Sequence, residues 1–390
     1  MTDVLAIRGG AQAVKGQIRR YNSISEAEAD VAAKCITAVP LSGFLGGNQR
    51  GGPMVQRLEE LWANKFGVEH AIACNSATSG LLAACAAAGV GPGSEVLTTP
   101  FTMSATAAAP KLLGASIKFQ DVDPETFCLA PDLPSPEDAI IVTNLFGHPA
   151  KLKEWRWLAD RSKSILIEDN AQGPLAMEDG KYAGTIGHIG VFSLNVHKHL
   201  QCGEGGVVVT RDADLAHAVR NFINHGEMAG DRVGLNLRMT EYTAAIACSQ
   251  LGKIDELVGV RAEQAKKIRV ALDGVAPWLK MTKVRRGCRH VYYMLPFLLE
   301  LPEGVSREAV LTALKAEGFP VEGGYVKPLY HLPAFAQTGI CSVAEELHTK
   351  TLMTFSNCEW SPTNDQIQQF AEAVYKVDKL LVRSGEKVSA

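Results

Sequence analysis

Residues 191–209 read VFSLNVHKHLQCGEGGVVV, two apolar runs separated by a polar turn. The first run, begun at Ile189 in IGVFSLN, has the length and β-branched content of a buried strand. Its end leads into Lys198, set among His197, His199 and apolar residues, before a Gly-rich turn with Glu204 and a second strand. Two readings of Lys198 stand at this point. It is either a surface lysine beside a turn, or a desolvated lysine that titrates low enough to act as nucleophile or base.

Outward from this stretch, strand and helix alternate. HAIAC (70–74) is a short apolar strand that runs through NSATSG into the alanine-rich GLLAACAAAGVG. GPGSEVLTTP, ASIKFQDVD, AIIVTNLFG and SILIEDN read as further strands, with AAAPKLLG and LKEWRWLADRS as helices between them. MVQRLEELWANKF (54–66) has helical spacing and a stop at Gly67. Such alternation implies a mostly parallel, buried sheet with helices on its faces. The expected α/β domain covers residues 1–255, including an amino-terminal arm. QLGKIDELVGVRAEQAKKIRVALDG bridges to a smaller α+β domain over 256–390, with a strand in HVYYMLPFLLEL (290–301) and helices in SREAVLTALKAEG and TNDQIQQFAEAVYKVDKLLV. Thr363 and Gln366 open the last helix at capping-box spacing.

Composition narrows the function. The 390 residues leave room for two to three domains of about 150 residues each. With 39 basic against 42 acidic residues, a net charge of −3 and no run of one sign, neither nucleic acid nor a membrane surface is an expected partner. No signal sequence or membrane span is read. The nine cysteines are scattered and never in metal-ligand spacing, which suits a reduced, cytoplasmic protein without a structural metal.

Ligands of a parallel α/β sheet bind beyond the carboxyl ends of its strands, so the polar residues there are the candidates. Asn75–Gly80 is either an ordinary helix cap or a cradle in which backbone N–H groups and hydroxyls hold a phosphate. ILIEDNAQ (165–172) carries Glu168 and Asp169 to a strand end, where an acid is either solvated or paired with a metal, an arginine or a protonated ring nitrogen. LNLRMTEYTAA (235–245) reads as a capped helix. A phosphate cradle, an acid for a pyridinium nitrogen and a buried lysine are together the parts that hold pyridoxal 5′-phosphate.

The segments GVEHAIACNSATSGLLAACAAAGVGPGSEVLTTPFT, LIEDNAQGPLA, FSLNVHKHLQCGEGGVVVT, RNFINHGE and NLRMTEYTAAIACSQL resemble the DegT/DnrJ/EryC1/StrS family of sugar aminotransferases over roughly residues 40–380. The resemblance implies the aspartate-aminotransferase fold, type I of the pyridoxal-phosphate enzymes: a large domain with a mostly parallel seven-stranded sheet and a small carboxyl-terminal α+β domain. Lys198 then matches the lysine joined covalently to the cofactor's aldehyde, and Asp169 the acid facing the pyridine nitrogen. Gln172 matches a residue near the ring's phenolic oxygen, Ala77 and Thr78 the phosphate loop, and Ser193 a further hydroxyl. Asn236 matches an asparagine that reaches the phosphate of the neighbouring subunit, which implies a homodimer with shared active sites. The implied reaction moves an amino group from L-glutamate or L-glutamine to a keto-sugar, often nucleotide-linked, or a keto-cyclitol. LAIRGG followed by LSGFLGG resembles the cyclitol and aminobenzoate branches.

Two positions depart from the family pattern. Where relatives stack Trp, Tyr or Phe on the pyridine, this chain has Met103, whose polarisable sulfur can lie against an aromatic face. Asn144 stands where histidine is common, which points to a difference in substrate selection. Tyr325, Lys327, Tyr330 and His331 resemble a segment near the active site of relatives, or else pack between domains; Arg238 reads as structural. The rivals are a sugar dehydratase of the same fold, in which histidine replaces the lysine, and a non-catalytic regulatory relative. Lys198, five residues after Ser193 and five before Gly203, argues against the first. Retention of lysine, acid and phosphate loop together argues against the second.

Overall fold

The computed structural model describes residues 4–44, 48–131, 137–227, 230 and 233–384, and they form two compact units. The larger comprises Ser23–Gly259 and Val284–Val291; the smaller comprises the described residues of Met1–Asn22, Val260–Lys283 and Tyr292–Ala390.

The larger unit is built on a seven-stranded sheet: β1 (His70–Cys74), β2 (Glu95–Thr98), β3 (Ser116–Phe119), β4 (Ala139–Thr143), β5 (Ile165–Asp169), β6 (Ile189–Ser193) and β7 (Gly206–Thr210). Their order is β1-β7-β6-β5-β4-β2-β3, parallel from β6 to β3, with β7 antiparallel to both its neighbours. AIIVT, IGVFS and GVVVT are buried along their whole length, the pattern of strands covered on both faces.

Helices cover those faces. On one, α1 (Glu26–Ala38) and α2 (Pro53–Phe66) pack with α7 (Glu241–Gly252). The ring of Trp62 stacks on Phe66 at 5.2 Å and meets Phe192 of β6 edge-on at 5.3 Å. Helix α2 starts because the buried Glu241 carboxylate accepts the N–H groups of Gly52 and Met54 at 2.9 and 2.7 Å. It stops at Gly67, whose φ of 62° is left-handed. On the other face lies α3 (Ala77–Ala87), with α4 (Ala105–Leu112) and α6 (Ala213–Ile223) beside it. Its small residues have a steric cause: a Cβ on Gly80 would lie 2.9 Å from Val191 Cγ1. Helix α5 (Leu152–Ser162) buries Leu152, Trp155, Leu158 and Ala159, one apolar stripe at helical spacing.

The smaller unit has a four-stranded antiparallel sheet of β8 (Leu279–Met281), β9 (Leu295–Leu299), β10 (Val321–Gly323) and β11 (Leu352–Phe355), ordered β8-β9-β11-β10. Between α8 (Ile254–Leu272), α9 (Arg307–Ala316) and α10 (Asn364–Val377) it buries Trp278, Phe297, Phe319, Phe355 and Phe370. Phe319 stacks on Phe370 at 4.3 Å, and the capping box of Thr363 and Gln366 forms at the start of α10.

The division differs from the expected boundary at 255 in its amino terminus. Residues expected in an arm of the large domain belong to the smaller unit, where Leu5 and Val14 enter the core. The buried Glu317 carboxylate accepts the N–H groups of Ala6 at 2.7 Å and Ala13 at 3.0 Å and pairs with Lys376 at 2.8 Å. The strand expected over 290–301 is shorter, Leu295–Leu299, since Tyr292 takes a left-handed φ of 54° and the chain before it belongs to the larger unit.

Candidate active site

Strand register brings the candidate residues to one edge of the seven-stranded sheet. Thr143 pairs with Asp169 and Asp169 with Val191, while Ser193 pairs with Gly206 and Gly206 with Cys74. The carboxyl ends of β1, β4, β5 and β6 and the start of β7 therefore coincide. Cross-strand partners share a face and alternate residues change face, so Asp169, Val191 and Ser193 lie on the α3 side and Glu168 on the other. The two acids of ILIEDN thus separate. Glu168 is fully buried and accepts N–H groups from Ile186 at 2.7 Å and Gly187 at 2.6 Å, fastening that loop.

Asp169 faces the candidate site. It is 5% exposed; Thr106 Oγ1 donates to its Oδ2 at 2.7 Å and the Ala171 N–H to its Oδ1 at 3.2 Å. Burial pushes its carboxyl up, against the Thr106 hydroxyl, the Ala171 N–H and the charge of Lys198, all of which pull it down. The sequence-predicted acid and lysine therefore act on each other electrostatically.

Lys198 sits at the tip of a hairpin between β6 and β7. Leu194 N–H bonds Gly205 O at 2.9 Å, Val196 N–H bonds Gly203 O at 3.0 Å, and Asn195 Nδ2 reaches Glu204 at 2.8 Å. Gly203 takes φ 85°, the left-handed region. Lys198 is half-buried, its own N–H donating to Asn195 O at 2.9 Å. The flanking histidines go elsewhere: His197 is exposed, and His199 is buried with Nε2 2.9 Å from Val291 O.

The loop at 75–79 is a capped helix start, and it also has the form of an anion cradle. Ser76 Oγ accepts the Ser79 N–H at 3.1 Å, which leaves the Ala77 and Thr78 N–H groups without an acceptor inside α3. A Cβ on Gly206 would lie 2.6 Å from Ser76 C and 2.7 Å from Ala77 N, so glycine there lets the loop lie flat on the sheet edge. Ser193 Oγ, at the same edge, accepts the Asn195 N–H at 3.3 Å. Asn236 is exposed, its Oδ1 held by Arg238 Nε at 2.9 Å, and the adjacent Leu237 carbonyl accepts the Asn75 N–H at 2.8 Å. Arg238 Nη1 also reaches Asn224 Oδ1 at 3.0 Å.

The family model for DegT/DnrJ/EryC1/StrS aminotransferases matches residues 41–374. The chain belongs to this aminotransferase family. An L-glutamine:2-deoxy-scyllo-inosose aminotransferase of Streptomyces kanamyceticus is 29% identical, with 85% of this chain and 87% of the relative covered. The UDP-N-acetyl-3-dehydro-alpha-D-glucosamine 3-aminotransferase of Acidithiobacillus ferrooxidans is 33% identical, covering 80% and 84%. A crystal structure of DesI in the presence of its TDP-sugar product superimposes with a TM-score of 0.85 at 28% identity, covering 98% of this chain and 99% of that one. A GDP-4-keto-6-deoxymannose-3-dehydratase with a trapped PLP-glutamate geminal diamine shares the fold at 22% identity, with a TM-score of 0.80.

The remaining family positions differ in how they sit. Gln172 is 4% exposed and its Oε1 accepts the Phe146 N–H at 2.7 Å, which turns the amide nitrogen away from Phe146. Phe146 itself has φ 58°, a strained conformation for an aromatic residue. Asn144 is fully buried, its Nδ2 donating to Asn170 Oδ1 at 2.9 Å and its Oδ1 accepting the Ala150 N–H at 2.9 Å. Met103 is 55% exposed, one helical turn before Thr106. Tyr330 and His331 both bond Glu345 within the smaller unit, Tyr330 at 2.8 Å. Sequence reading missed the hydroxyls of Thr102, Thr106 and Thr143 around Asp169. Their signal was available in TMSAT, where Thr102 and Thr106 stand four apart at a helix start.

Proposed function

We propose that this aminotransferase binds pyridoxal 5′-phosphate at the carboxyl edge of its large sheet and moves an amino group from L-glutamate or L-glutamine to a keto-sugar or keto-cyclitol. The observation that carries the proposal is the buried Asp169 at a strand end, under-compensated by its own hydrogen bonds and within the field of Lys198. A protonated ring nitrogen is the cationic partner such a carboxylate lacks. When bound, the cofactor supplies an aldehyde that takes the amino group and a ring that draws electrons from the substrate carbon.

The residues divide the work. Lys198 Nζ would anchor the cofactor and, once displaced as free amine, would move the proton from the donor's α-carbon to the cofactor's aldehyde carbon. Asp169 keeps the ring nitrogen protonated. The Ala77 and Thr78 N–H groups at the α3 start, with the Thr78 and Ser193 hydroxyls, hold the phosphate. Gln172 would donate to the phenolic oxygen, and Met103 would pack against the ring.

A second copy of the chain completes the site, with Asn236 reaching the phosphate across the interface. Supporting this, apolar side chains near the site residues are exposed in one copy: Met103 55%, Val196 51%, Leu235 45% and Val233 86%. The nine cysteines are in no disulfide and six of them are buried, which suits the reducing cytoplasm. No helix among the described residues is long and apolar enough to cross a membrane. The acceptor class rests on the relatives, one named for an inosose and one for a UDP-linked dehydro-sugar. A panel of free keto-cyclitols and nucleotide-linked keto-sugars, offered with labelled glutamine or glutamate, tests it: transfer of the label to a member of either class is expected. Dehydration of a 4-keto-sugar without transfer would refute it.

A further inference from the structure

Behind Asp169 stands a line of three buried hydroxyls. Thr106 Oγ1 lies 2.7 Å from Asp169 Oδ2, Thr102 Oγ1 lies 3.1 Å from Thr106 Oγ1, and Thr143 Oγ1 lies 3.1 Å from Thr102 Oγ1. Thr106 is 0% exposed, Thr102 1% and Thr143 3%, so water does not compete for these contacts. Distances alone leave the donor at each hydroxyl pair open. The chemistry of Asp169 decides it. An ionised carboxylate only accepts, and each threonine has one proton. The Thr106 proton must point to Asp169, so the proton between Thr102 and Thr106 is Thr102's, and the one between Thr143 and Thr102 is Thr143's. All three O–H dipoles then point the same way, toward the carboxylate, and in a low-dielectric interior such chains strengthen one another.

We infer that Thr106, backed by Thr102 and Thr143, is a positioning residue that keeps Asp169 ionised and aimed, and thereby sets how firmly the cofactor's pyridine nitrogen holds its proton. The inference rests on the reading that Asp169 faces that nitrogen. Topology supports a role beyond packing. The three threonines come from the loop after β2, the first turn of α4 and the end of β4, and their hydroxyls form one chain that ends, through Thr106, on one oxygen of one acid. Among the described residues the other oxygen has only the 3.2 Å bond from Ala171, which leaves that side of the carboxylate for the ring. Because burial raises the carboxyl and Thr106 opposes it, loss of the hydroxyl moves the shared proton from ring nitrogen toward Asp169.

The test uses the full-length protein loaded with pyridoxal 5′-phosphate labelled with ¹⁵N in the ring, and reads the nitrogen resonance against pH. Asp169→Asn serves as reference. Thr106→Val keeps the branched shape and removes the proton. It is expected to displace the resonance toward the unprotonated ring and lower the pH of ring deprotonation by about one unit or more, a tenfold change in proton partition. Thr106→Ser restores the wild-type titration. Thr102→Val shifts it in the same direction by less, and Thr143→Val by least. A wild-type titration in Thr106→Val, with Asp169→Asn displaced, overturns the inference and leaves the reading of Asp169 intact, even if thermal stability falls. An undisplaced Asp169→Asn overturns that reading as well. Should Thr106→Val fail to fold, Thr102→Val decides: a shift of the same sign supports the relay, and no shift removes it.

Discussion

Replacing Asp169 by asparagine keeps the side chain's shape and reverses the chemistry of one edge. In the native site Oδ2 accepts the Thr106 hydroxyl at 2.7 Å and Oδ1 faces the Ala171 N–H at 3.2 Å. The best-bonded asparagine turns its oxygen to Thr106, which aims an NH₂ donor where the ring's N–H must find an acceptor. The loss has a workable size. Two unit charges about 2.8 Å apart, at an effective dielectric of about 20, attract by about 6 kcal/mol. Half of that, once desolvation is subtracted, still corresponds to about a hundredfold in rate. Stopped-flow absorbance with glutamate reads the donor half-reaction directly. Asp169→Asn should still join the cofactor to Lys198, whose hairpin it does not touch, while the half-reaction slows about a hundredfold or more. A rate within about threefold of wild type would refute the pairing of Asp169 with the ring.

Three further outcomes follow from other parts of the molecule. Gly206→Ala places a carbon 2.6 Å from Ser76 C, so it should lift the phosphate loop and weaken cofactor binding at least about tenfold in a fluorescence titration, with far-ultraviolet circular dichroism unchanged. Met103→Ala, at a 55% exposed position, should change folding stability by less than about 0.5 kcal/mol yet weaken cofactor binding measurably, while Met103→Phe retains it. The buried Glu28, where burial alone would raise the carboxyl, is held well below the usual carboxylate range by Lys253, Ser249 and Ser25. Its contribution is therefore complete above an unfolded value of about 4.3 and is lost as pH falls below it. Glu28→Gln should cost about 3 kcal/mol at neutral pH and less in acid, read from urea melts at two pH values.

Much of the large unit was legible because its strands are nearly pure apolar runs between polar loops. HAIAC forms a strand with the bounds read from sequence, and Asp169 and Lys198 share one sheet edge because their strands are neighbours in register. What stayed hidden depends on contacts distant in sequence. Leu5 and Val14 give no sign that they join a core built mainly from residues beyond 260, tied by Glu317. Local pattern also extended the strand of 290–301 through Tyr292, whose left-handed backbone no propensity announces. At the site, Asn144 gave no sign in sequence of its buried bonds to Asn170 and Ala150. The threonine line is only half legible for the same reason: Thr102 and Thr106 stand four apart at a helix start, but Thr143 is 37 residues beyond Thr106, at the end of β4.

The most direct measurement is chemical. Protein saturated with pyridoxal 5′-phosphate is reduced with borohydride, digested and mapped by mass spectrometry. The account predicts one stoichiometric phosphopyridoxyl label, on the peptide that carries Lys198. Label spread over surface lysines, or absent from that peptide, would contradict it.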